Sequence, residues 1–183
     1  MQSQEVLFRL VKKTNKKLGE EFFIRDTLTV AKDLLGKFLV KDNFVVQINE
    51  VEAYVGDCDP ACHAFVGKTE RNKAMFEVGG TAYVYFIYGM YFCFNVVTEE
   101  RGRGCAVLVR GAKPIEGVPA GTKMDGPGKL CRALGITKED DGRDLCCDKT
   151  FYLYDSGFKP EKIEASKRIG LTKGIDSEWR FYY

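Results

Sequence analysis

The chain has 183 residues, enough for one domain to bury most of its apolar surface without disulfides or metals. Its 28 basic and 26 acidic residues leave a formal charge of +2, so bulk electrostatics neither demand nor exclude a nucleic-acid partner, and any basic footprint must be local. Seven dispersed cysteines, an odd number, argue against a secreted disulfide scaffold and for reduced intracellular thiols, and neither a secretory signal nor a run of membrane-spanning length is read.

In chain order, residues 1–20 form a polar entry segment, where Lys12-Lys13 and Lys16-Lys17 suit a solvated helix face better than an import-like basic cluster. Asp26 is placed to cap a short helix with Leu28, Ala31, Leu34 and Leu35 on one face, and Gly36 to end it in the left-handed conformation. Residues 38–40 and 44–48 are β-rich runs on either side of the turn-forming Lys41-Asp42-Asn43, which predicts a hairpin. Residues 81–97 predict a second, strongly aromatic hairpin with Tyr88-Gly89-Met90 at its tip. There Tyr83, Tyr85 and Ile87 alternate with Ala82, Val84 and Phe86; both faces are apolar, so the strands are expected to be largely buried, with Tyr88 exposed at the tip. Further expectations are a strand over 105–109 ending in Arg110, a Gly- and Pro-rich loop over 117–128, a short helix over 130–134, and closing strands over 151–154 and 180–183. The sequence has no internal repeat or low-complexity tract.

Residue types that carry chemistry concentrate between positions 50 and 95. Glu50 and Glu52 stand two apart on a strand and point to one face. They read as a carboxylate pair, as one working acid, or as two solvent-facing acids; no further acidic ligands stand nearby for a metal. His63, the single histidine, lies in a loop with Cys58, Asp59 and Cys62. A zinc site lacks a second ligand pair at finger spacing, a cysteine nucleophile lacks a distinctive neighbourhood, and a lone loop histidine remains open. A fourth reading gathers Tyr54, His63 and Tyr85 as flat rings around an extruded base. Tyr88 then serves as a wedge entering the stack from the minor groove, unless it simply packs on its own strands.

The strings EVEAYVG at 50–56, RNKAMF at 71–76 and TAYVYFIYGMYFCFNVV at 81–97, with His63 between them, closely resemble the alkyladenine (3-methyladenine) DNA glycosylase family. Further matching strings are FFIRDTLTVAKDLLGKFLV at 22–40, AVLVRGAKPIEG at 106–117, GPGKLCRALGI at 126–136, GRDL at 142–145, RIG at 168–170 and RFY at 180–182. They run in order over most of the chain.

The resemblance implies one mixed α+β domain over 1–183, with a curved antiparallel sheet, flanking helices and a protruding hairpin that inserts into DNA. It also implies a monomeric, cofactor-free and metal-free enzyme that excises alkylated or deaminated purines from double-stranded DNA, in the cytoplasm or nucleoid of a bacterium or the nucleus of a eukaryote. Carried onto this chain, Glu52 is the general base for the attacking water and Arg110 helps to hold that water. Tyr54, His63 and Tyr85 enclose the base, Asn95 lies at the pocket floor against the exocyclic amine of guanine, and Tyr88 takes the base's place in the duplex. Met90 and Tyr91 touch DNA beside the wedge, and Lys68, Thr69, Arg71 and Lys129 contact phosphates. Two departures stand out: the stretch 118–124 is shorter than the family usually has, and Tyr183, whose backbone carbonyl is expected to help hold the water, is the last residue of the sequence.

Overall fold

The computed structural model describes residues 16–87 and 89–183. Among the described residues nine strands form one antiparallel sheet around which the helices pack: β1 (Lys16–Lys17), β2 (Phe38–Lys41), β3 (Phe44–Val55), β4 (Ala82–Ile87), β5 (Tyr91–Thr98), β6 (Cys105–Glu116), β7 (Phe151–Asp155), β8 (Glu164–Ser166) and β9 (Arg180–Tyr182). The order is β1-β7-β2-β3-β6-β5-β4, with β9 joined to both β3 and β8. The expected α+β class with a curved antiparallel sheet is what the chain adopts. Much of the curvature follows from β3, whose register against β6 shifts at Val45/Val46, Ile48/Glu50 and Glu50/Val51, irregularities that bend a strand and tighten its twist. Because of that bend, one edge of β3 pairs first with β2 at residues 44–47 and then with β9 at residues 50–52.

The first hairpin forms as expected, with Lys41 opposite Phe44 across the two-residue turn Asp42-Asn43. Asp42 takes φ 53°, a conformation that aspartate tolerates better than most residues. Helix α1 (Glu20–Phe23) is followed by α2 (Thr27–Leu34), where the Asp26 side chain accepts from the Thr29 amide at 2.8 Å, the cap read from the sequence. Val30, not Leu28, joins Ala31 and Leu34 in the fully buried stripe, because the helix begins at Thr27 and turns Leu28 towards its rim. Helix α3 (Pro127–Leu134) starts three residues earlier than expected, with proline where a missing N–H costs nothing, and stops at Gly135 in the left-handed conformation. Both longer helices bury their apolar faces against the sheet, with Val30, Leu34, Leu130 and Leu134 meeting Ile48, Val51, Phe94 and Val109. Each such fully buried side chain contributes roughly 1.5–3 kcal/mol, more than a cap does.

Three further expectations change. Lys16-Lys17 is a two-residue strand paired with Asp155 and Tyr154, not a helix face, because the free edge of β7 offers it backbone partners; Lys12-Lys13 lies outside the described residues. The strand at 105–109 runs on to Glu116, paired with β3 along its length. The aromatic hairpin of β4 and β5 is buried only at its base: Ala82, Tyr83 and Val84 are buried, whereas Phe86 is 46% exposed and Met90 66% exposed, where β5 no longer pairs with β6, the ladder between them taking only residues 95–98 of β5.

Candidate active site

Glu52 sits in the bent half of β3, opposite Leu108 of β6 on one side and Arg180 of β9 on the other. Its side chain is completely buried. Oε1 accepts from the backbone N–H of Ile169 at 2.8 Å and lies 3.4 Å from Arg110 Nη1; Oε2 accepts from the Tyr54 hydroxyl at 2.9 Å. A carboxylate taken out of water without partners costs several kcal/mol, so these donors make its buried position tenable, and all of them direct it as an acceptor. Glu50 shares the face but not the environment. Its Oε1 is engaged by Arg110 Nε at 2.9 Å and Arg180 Nε at 2.7 Å, and it stands outside the cavity that Glu52 lines. The two acids are therefore a buried carboxylate in the cavity wall and the anchor of the arginine that reaches it.

Glu52 forms part of the wall of a cavity of about 380 Å³, together with Tyr54, His63, Tyr85, Asn95 and Arg110, all six brought together from the sequence-derived set. Ala61, Met75, Tyr83, Ile87, Cys93, Leu108, Pro127 and the stretch 169–171 complete the lining. The His63 and Tyr85 rings meet edge to face with centroids 4.6 Å apart, and His63 Nδ1 is 2.9 Å from the Tyr83 hydroxyl. When that hydroxyl donates to Nδ1, the imidazole keeps an N–H on Nε2 for a bound molecule. Desolvation, and then the positive charge of Arg71, lower the His63 pKa below 6.5, so the ring is neutral at pH 7. Burial, and then the neighbouring Glu52 charge, push the Tyr54 hydroxyl well above its ordinary value, so it stays a donor. Asn95 is buried, with its Nδ2 donating to the Tyr83 carbonyl at 3.1 Å, which fixes the orientation of its amide.

The competing chemistries lack the geometry. Cys62 caps the 3₁₀ turn His63–Val66 by accepting from the Ala64 amide, and Cys58 donates to the Val55 carbonyl. Among the described residues no three His, Cys, Asp or Glu side chains converge on a metal position. Burial pushes the Cys62 and Cys93 thiols up to about 11, so neither is a ready thiolate, and the Nδ1 of His63 is taken by Tyr83.

Around the mouth, Lys68, Thr69 and Arg71 are exposed on a loop that the buried Asn72 ties to the His63 and Gly67 carbonyls, both at 2.9 Å. Arg71 Nη2 is 3.4 Å from the Phe86 carbonyl, so this loop borders the aromatic hairpin. Gly89 takes φ 68° at the hairpin tip, Met90 is exposed and Tyr91 is half-buried against Gly128. Tyr88, the expected wedge, lies outside the described residues. Lys129 is exposed on α3 and paired with Asp125 at 2.9 Å. Tyr183 donates its backbone N–H to the Asn49 carbonyl at 3.2 Å, three residues before Glu52 along β3.

Sequence reasoning missed several contributors. Tyr83 was legible, since it shares the strand face of Tyr85. The Ile169 N–H was not, because any non-proline residue supplies one. Arg168 and Asp59 form a buried ion pair beside Tyr54 that only the fold creates.

Residues 21–183 match the family described as methylpurine-DNA glycosylase. A protein of Wolbachia pipientis wMel named "Putative 3-methyladenine DNA glycosylase" is 49% identical over 168 residues, 92% of each chain. Proteins of the same name from Sodalis glossinidius and Myxococcus xanthus are 49% and 53% identical, over 92% and 84% of this chain and 97% and 81% of theirs.

Proposed function

The chain belongs to the methylpurine-DNA glycosylase family, and from that premise of a DNA-repair glycosylase acting on alkylation damage we propose the lesion, the pose and the step. The substrate is an alkylated or deaminated purine flipped out of duplex DNA, and the product is an abasic site. The flipped base lies among Tyr54, His63 and Tyr85, where its π-faces find rings and its edge finds the imidazole. Asn95 at the floor rejects guanine by its exocyclic amine. Glu52 takes a proton from a water held beside Arg110, the water oxygen bonds to the sugar carbon, and the bond from that carbon to the purine nitrogen breaks with its electrons leaving on the base. An alkylated, cationic purine departs without an added proton, so one carboxylate suffices.

Outside the cavity, Tyr88 fills the vacated place in the duplex, and Met90 and Tyr91 touch DNA beside it. Lys68, Thr69, Arg71 and Lys129 meet phosphates, giving affinity that is independent of sequence and sensitive to salt. The enzyme works as a monomer, without metal or cofactor, inside the cell where its DNA lies.

The observation that carries this reading is the buried Glu52, held by three donors in the wall of a cavity lined by the three rings. To test it, methylated duplex DNA, whose alkylated purines are cationic, and duplexes carrying the neutral lesions hypoxanthine or ethenoadenine are incubated with excess protein and cleaved with mild alkali at abasic sites. Wild type is expected to excise, and Glu52→Gln to bind the same duplex but lose excision by on the order of 10²-fold or more. Equal excision by the variant removes Glu52 from its role. Tight lesion binding with no excision by wild type makes the chain a non-catalytic nucleic-acid-binding module instead.

A further inference from the structure

Behind the cavity, the Arg168 side chain is completely buried, and so, all but entirely, is that of Asp59. The two meet in a bidentate pair, with Nη2 donating to Oδ1 at 2.8 Å and Nη1 to Oδ2. Nη1 also donates to the Ala53 carbonyl at 2.9 Å, and Nη2 to the Gly174 carbonyl at 3.2 Å. The guanidinium lies 4.7 Å from the centroid of the Tyr54 ring and 5.1 Å from that of Trp179. Ala53 is the residue between Glu52 and Tyr54, and the residue after Arg168 is Ile169, whose N–H holds Glu52. Asp59 in turn accepts from the Val55 and Ala61 amides, in the loop that leads to His63.

Resting on the glycosylase reading, we infer that Arg168 is a positioning residue for the reaction: it aligns the Glu52 carboxylate and braces the back of the Tyr54 ring. The planar fork is required. Lysine retains the charge but cannot grip both Asp59 oxygens, the Ala53 carbonyl and two ring faces at once. Small misplacements of a base and its water are costly, so the loss belongs to the chemical step more than to binding.

The test is single-turnover excision at saturating enzyme, where a misfolded fraction leaves the rate constant unchanged as long as folded enzyme stays in excess. Arg168→Lys and Arg168→Ala are expected to lower the rate constant on the order of 100-fold, with a much smaller change in Kd for the lesion duplex. Guanidinium ions at millimolar concentration are expected to restore excision to Arg168→Ala in part. Trp179, the single tryptophan, reports on the same place, its emission shifting in Arg168→Ala and returning with guanidinium. Where the Arg168 variants do not fold, Asp59→Asn loosens the grip and is expected to lower the rate constant in the same direction. A wild-type rate constant in folded variants, or a loss that guanidinium fails to restore although the Trp179 emission returns, overturns the positioning role. Wild type that excises no lesion sinks the glycosylase reading itself, a result distinct from either.

Discussion

Tyr54 offers its ring to the cavity and its hydroxyl to Glu52. Removing only the hydroxyl separates the two roles. Tyr54→Phe keeps the stacking face and the Arg168 contact but takes one donor from a buried carboxylate, a bond to a charged group worth about 1.5–3 kcal/mol. If the bond serves the chemical step, the single-turnover rate constant falls roughly 10- to 100-fold while the Kd for lesion DNA stays near that of wild type; a weakened Kd with an unchanged rate constant assigns Tyr54 to binding alone. At this scale the sequence reached residue types but not their partners. Glu50 and Glu52 look alike in EVEAYVG, and only burial and the arginines that reach them tell one from the other.

Among the elements, β7 shows how a loop carboxylate fixes a strand. Asp148 Oδ1 accepts from the Thr150 and Phe151 amides at 2.8 and 2.9 Å, and Oδ2 accepts from Arg143 Nε at 2.8 Å. Desolvation raises its pKa, but the Thr150 amide, Arg143 and the Phe151 amide outweigh that and bring it from 3.8 down to about 2. The folded pKa is depressed, so the stabilisation is present above pH 4 and lost as pH falls through 4 towards 2, about 2 kcal/mol in all. Asp148→Asn is thus expected to unfold at lower urea concentration than wild type at pH 6, with the gap narrowing steadily below pH 4; a gap independent of pH contradicts the linkage. Elements with a strong local signal were legible: the capped helix after Asp26, the turn at Asp42-Asn43 and the two hairpins. The short strands β1 and β8 were not, because they show no period and form only where β7 and β9 offer an edge, whereas the equally short β9 was legible as a closing strand over 180–183.

In the molecule as a whole, the central strand β3 has β6 along one edge and β2, then β9, along the other, so the site depends on pairings that sequence patterns do not reveal. Glu52 and the Ile169 amide that holds it are 117 residues apart in the chain, and Asp59 and Arg168 are 109 apart. Hairpins and helices close short loops and form early, whereas contacts across such separations must first meet a larger loop-closure entropy. During refolding from urea, far-UV circular dichroism is accordingly expected to recover before lesion excision does, and simultaneous recovery contradicts this order. For a time the refolding population then contains molecules with most of their backbone structure in place and Glu52 not yet held by the Ile169 amide. To a damaged genome, a freshly made copy of this protein is of no use until two distant stretches of its chain have met.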